Sequence, residues 1–193
     1  MFSWYKKAGE PEEFDMVAHL LSRGVDPEKV KVYIDNETHV ASFPFFTIDG
    51  KFIGFQQYTP NGNKNRRNEE LGKYYTSVAE AHGGNKVWGM ESWANRKTET
   101  LFVTEGIFDA VKIHNAGYPA FALIANNPPD DLVHWTKILS PRVIAIMDRG
   151  DAGAYLADGF DEAYVVPDPY GDLGEMPQKE VDQFISKVIT GNG

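Results

Sequence analysis

The chain has 193 residues, 42% of them hydrophobic and 13% aromatic, enough to bury a core without disulfides in one domain or two small ones. It has no cysteine, which excludes a thiolate-ligated zinc or iron–sulfur centre and a thiol nucleophile. A net charge of −9 argues against a protein that coats nucleic acid non-specifically, but not against an enzyme whose carboxylates are neutralised by metal ions.

In chain order, EEFDMVAHLLSRG reads as a helix stopped by Gly24, with a second short helix started by Asp26-Pro27 in VDPEKVKVYI. HVASFPFFTIDGKFIGFQQYT reads as two strands joined at the Asp49-Gly50 turn. PNGNKNRRNEELGKYYT is a polar loop carrying Lys64, Arg66, Arg67 and Lys73, diluted by Glu69 and Glu70. Strand alternation in KYYT favours core packing for one of Tyr74 and Tyr75. No apolar run reaches 18 residues and MFSWYKKAGEPEEFD lacks a signal-peptide core, so a soluble cytoplasmic protein without membrane contact is expected.

After a composition shift at ESWANRKT, residues 91–98, the rhythm changes, and the expected division is 1–95 and 96–193. ETLFVTEG is a strand, IFDAVKIHNAG a helix closed by Gly117, YPAFALIA a strand, and PPDDLVHWTKILS a helix. RVIAIMD is a strand, AGAYLADG a short helix, EAYVVPD a strand, and MPQKEVDQFISKVI a closing helix. Alternation with near-continuous apolar strands indicates an α/β parallel sheet with helices on both faces. Ligands of such sheets bind beyond the carboxyl ends of the strands.

Three strand ends deliver acids to that edge. Glu105 and Asp109 follow the first, one helical turn apart. Asp148 and Asp151 follow the second, and Asp172 and Glu175 the third. Converging like charges need compensation, and Mg²⁺, a hard ion that takes oxygen ligands, is the natural candidate. Asp168, between Pro167 and Pro169, reads as a turn residue, and His114 and His134 as ordinary helix residues.

LFVTEGIFDAV, VIAIMDRGDAG and GDLGEM resemble the TOPRIM signature of DNA primases, topoisomerases and some nucleases. EGIFDAVKIHNAGYPAFAL is similar to the primase version. Upstream, LLSRGVDPEKVKVY, FPFFTIDGKFIGFQQYT, KYYT and NKVWGM resemble the primase polymerase core, in particular that of phages or other mobile elements. The likeness implies a TOPRIM, Rossmann-like domain preceded by a smaller α+β primase-like subdomain. It implies synthesis of short RNA primers on single-stranded DNA from ribonucleoside triphosphates, with Mg²⁺ or Mn²⁺ as cofactor.

By the same likeness Glu105 is the general base or orients the reacting groups, and Asp109, catalytic beside it, falls with Asp148 and Asp172 on the family's metal-binding acids. Asp148, Asp151 and Asp172, with Glu105, hold metal. Lys73 and Lys86 fall on basic positions near the nucleotide and template groove, while Lys64, Arg66 and Arg67 are read from their basic loop itself as contacts to phosphate. The location implied is the cytoplasm, that of a bacterial host if the gene is a phage's. The chain departs from the pattern at Gly150, where the second acid is usual and Asp151 follows one later; glycine would let the loop bend to bring Asp151 back. Tyr58 stands where many primases have arginine, and IANNPPD replaces a small Gly-Thr turn. With no zinc ribbon, template choice would fall to residues 60–73 or to a separate template-recognition protein or helicase. A metal-dependent TOPRIM nuclease, and a degenerate regulator binding nucleic acid or a replication protein, remain the alternatives.

Overall fold

The computed structural model describes residues 14–63, 72–80, 86–125, 128–150 and 156–191. Helix α1 (Met16–Ser22) begins where the Asp15 carboxylate accepts a hydrogen bond from Ala18 N–H, and it buries Met16 and Leu20. Four strands follow, β1 (Tyr33–Asp35), β2 (Val40–Phe46), β3 (Phe52–Tyr58) and β4 (Tyr74–Val78), in one antiparallel sheet of that order. The hairpin between β2 and β3 turns at Asp49-Gly50 as expected.

Two elements differ from the sequence reading. Asp26-Pro27 opens a single turn, not a helix: Val30 N–H reaches Asp26 O at 2.8 Å, and the chain then extends into β1. A stretch this short gains too few helical bonds to offset nucleation, and pairing with β2 is available instead. KYYT leaves the loop to form β4, because Tyr74 pairs with Tyr58 in the sheet and packs at 5.5 Å against its ring. Tyr74 faces inward and Tyr75 is exposed, the alternation a half-buried strand requires.

The second sheet is parallel, with strands β5 (Thr100–Thr104), β6 (Ala120–Ala122), β7 (Arg142–Met147) and β8 (Glu162–Val165) in the order β6-β5-β7-β8. It is flanked by α2 (Ile107–Asn115), α3 (Asp130–Leu139) and α4 (Gln178–Thr190). β5 and β7 are apolar nearly throughout and buried, as a sheet covered on both faces demands. Residues 156–158 are helical; the rest of the first part of that expected helix lies outside the described residues. No helix among the described residues is long and apolar enough to cross a membrane.

Phe108, on the first turn of α2, joins the sheets. Its ring meets Phe43 of β2 edge-on at 5.8 Å and Tyr58 of β3 at 4.9 Å. Gly24 locks α1 to α2: its φ of +82° is open to glycine, and a Cβ there would lie 2.8 Å from Lys112 Cε. Its carbonyl accepts from Asn115 Nδ2 at 2.8 Å. Truncating Phe108 to Ala would open a cavity at this seam; the expected cost is about 3–5 kcal/mol, read as a lower denaturant midpoint in equilibrium unfolding.

Candidate active site

The carboxyl ends of β5 and β7 and the loop after β8 open on the same edge of the parallel sheet. Glu105 follows Thr104, the last residue of β5. Gly106 then caps α2 in extended backbone, and a Cβ there would stand 2.8 Å from Asp109 Oδ2. The absence of that carbon lets the Asp109 carboxylate fold back toward the strand end. Asp109 is 6% exposed, and its Oδ1 accepts from Gly174 N–H at 2.9 Å. Asp148 follows β7 directly. Asp172 caps the 3₁₀ turn Leu173–Glu175, accepting from Glu175 N–H at 2.9 Å. Glu175 is turned to its own loop, where it accepts from Gly171 N–H at 3.0 Å.

The backbone behind Glu105 is held from β6. Leu123 N–H bonds Thr104 O at 2.9 Å and Ile124 N–H bonds Glu105 O at 3.1 Å. Ile124 has φ +52°, a strained angle for a β-branched residue costing of order 1–3 kcal/mol, and it stands in the IANNPPD stretch that departs from a Gly-Thr turn.

These acids feel one another. Burial raises the Asp109 carboxyl to about 7, with Asp172 and Glu105 adding to the rise, while Gly174 N–H and Arg23 oppose it. Asp148 is raised to about 8, again by burial first, then by Asp109, Glu105, Asp172 and Glu175. Among the described residues no three His, Asp or Glu close into a set that could hold an ion alone. All donors are hard carboxylate oxygens, which fits an ion that completes its shell with water and substrate phosphates, as Mg²⁺ does.

Opposite the acids stands a wall from the first sheet and α1. Arg23, at the end of α1, lays its guanidinium 4.5 Å over the Phe108 ring and 4.0 Å from Asp172 Oδ1. Gly174 makes room for it: a Cβ there would lie 2.7 Å from Arg23 Nη2. Lys73 Nζ lies 5.7 Å from the Tyr58 ring and 5.8 Å from that of Tyr74. His19 Nε2 is 2.8 Å from the Tyr58 hydroxyl, and burial, Arg23 and Lys73 all lower the imidazole's pKa. Tyr58 is thus buried and paired with a histidine. Lys112, also buried, donates to Met176 O at 2.8 Å and fixes the start of α4.

The structure therefore gathers Glu105, Asp109, Asp148 and Asp172, and places Lys73 beside Tyr58 and Tyr74. Lys86 is half-buried on the segment that leads to Trp88, which bridges Ala122 at the edge of the second sheet. Asp151, Lys64, Arg66 and Arg67 lie outside the described residues. Gly150 has φ +124°, an angle that favours glycine and turns the chain immediately after Arg149. Arg23 and Lys112 were not singled out by sequence reading: a basic residue near a helix C-terminus is ordinary, and only the tertiary contacts distinguish these two.

The fold is that of the TOPRIM-containing primase catalytic core. The E. coli primase catalytic core superposes with a TM-score of 0.62 at 22% identity, covering 79% of this chain and 52% of that one. A DnaG primase catalytic domain bound to single-stranded DNA gives a TM-score of 0.62 at 20% identity over 95% of this chain and 60% of that one. The primase fragment of the bacteriophage T7 primase-helicase gives 0.64 at 15% identity over 88% and 73%. This chain thus spans between about half and three-quarters of the length of these structures. No protein-family model and no curated protein sequence matches it.

The raised carboxyls set a sign for stability. The folded protein binds protons at Asp109 and Asp148 that the unfolded chain, with carboxyls near 4, has already released. This contribution is most favourable at low pH and is lost as pH rises through about 7 to 8. Asp148→Asn removes the Asp148 share of this loss, because the amide does not titrate. Thermal unfolding in a chelator is expected to show a higher midpoint for the variant, by a margin that widens from pH 5 to pH 8.

Proposed function

We propose that this chain is a primase-like nucleotidyltransferase that joins ribonucleotides on a single-stranded DNA template with release of pyrophosphate. The observation that carries the reading is the gathering of four carboxylates, with Arg23 against Asp172, in a primase-core fold. Single-stranded DNA as template is supported by the structural neighbour that binds it.

In this reading the cations meet the polyphosphate and the acids face the reacting atoms. Glu105, at the strand end, receives the proton of the attacking 3′-hydroxyl. The hydroxyl oxygen bonds to the α-phosphorus and the bond to pyrophosphate breaks. Asp109 does not touch substrate in this scheme; through Gly174 N–H it holds the turn that carries Asp172. Asp148 and Asp172, with Asp151 and Glu105, are the residues that would hold Mg²⁺ or Mn²⁺, which when bound neutralises charge on the phosphates. Burial of Asp109 strengthens the charge interactions it makes. Lys86, with Lys64, Arg66 and Arg67, would extend the cationic wall along the template by phosphate contacts.

Incubation with single-stranded DNA, labelled ribonucleotides and Mg²⁺ or Mn²⁺ tests the proposal. Oligoribonucleotides are expected from the wild type, with a fall of roughly 100-fold or more for Glu105→Gln, the order expected for loss of a general base. Fragments released from labelled nucleic acid without nucleotides would move the reading to hydrolysis. No product, even with a helicase or template-recognition protein added, would sink the polymerase reading.

A further inference from the structure

Between the two strand-end loops of the mouth stands a residue for which the mechanism above has no use. Arg149 follows Asp148 directly, and among the described residues its polar contacts run to the loop between β8 and Asp172. Its backbone N–H bonds Gly171 O at 2.8 Å. Its Nη2 donates to Val166 O at 2.9 Å, and its Nη1 pairs with Asp168 Oδ1 at 2.8 Å. One residue therefore grips the start, the middle and the end of the segment 166–171, and the last grip is one residue before Asp172. Val166 N–H in turn bonds Met147 O at 3.0 Å, so both ends of the tie are anchored to β7.

The tie has little to do for stability. The Arg149 side chain is 41% exposed and that of Asp168 82%, and an ion pair so open to water contributes little to folding. It has more to do for geometry. Asp172 and Asp148 repel when ionised, and Asp172 is among the charges that raise the Asp148 carboxyl. Nothing covalent restrains the gap between them, because they lie on different loops. A bridge from the residue beside one acid to the loop that leads into the other restrains it.

We propose that Arg149 is a positioning residue that sets the spacing of Asp148 and Asp172 for a divalent cation. The inference rests on the nucleotidyltransferase reading. Mn²⁺ titration of the whole chain, followed by the electron paramagnetic resonance signal of the free ion, tests it without any turnover. The wild type binds Mn²⁺ and Asp148→Asn binds it far more weakly. Arg149→Ala is expected to weaken binding about tenfold, the usual scale for residues that orient metal ligands. The sign is decisive: by charge alone, deleting a cation beside the site would tighten binding of another cation. Arg149→Lys, which keeps the charge but not the forked donor, is expected between wild type and Ala. Binding by Arg149→Ala as tight as wild type or tighter overturns the positioning role alone. Equal binding by wild type and Asp148→Asn overturns the metal-site reading and this inference with it.

Discussion

A carboxylate cluster in a protein interior is stable only if something opposes its own repulsion, and here the opposing group comes from outside the sheet that carries the acids. Arg23 enters from α1, rests on the face of Phe108 and points its guanidinium at Asp172. Its field lowers the Asp109 carboxyl while burial and Asp172 raise it. Without that cation the Asp109 carboxyl would be raised further. The antiparallel half of the molecule is therefore part of the acidic site and not an attachment to it.

The same seam explains several small residues at once. Phe108 wedges between Phe43 and Tyr58, so the helix that carries Asp109 is held against the first sheet. Gly174 leaves the space that Arg23 Nη2 occupies and lends its N–H to Asp109. Gly24 leaves the space for the Lys112 stem. Lys112 then reaches across to the carbonyl of Met176 at the entry to α4. Apolar packing sets the distance between the halves, and close backbone approach lets the charges meet across it.

What lay open to sequence reading is what depends on local pattern. Buried parallel strands announce themselves as apolar runs, so RVIAIM was legible as β7, and Glu105 and Asp148 as residues at strand ends. Asp49-Gly50 was legible as a hairpin turn because that pair favours one. KYYT was less legible: its neighbours are polar, and only pairing with β3 and the Tyr58 ring makes it a strand. Asp26-Pro27 misled for the converse reason, since a good helix start does not by itself supply a helix.

By itself the sequence determined the alternation of strand and helix, the edge of the sheet on which the acids gather, and the absence of any thiol chemistry. Each follows from residue type and spacing within one element. The tertiary structure decided which cation faces those acids, that Tyr58 is partnered by His19, and that Arg149 ties two acidic loops together. Arg23 and Asp172 are far apart in the chain, and Arg149 meets Val166 and Gly171 only because β7 and β8 are paired. Such partners depend on how elements pack. A one-dimensional pattern records which face of an element is apolar, but not which charged side chain arrives from the other side of the seam.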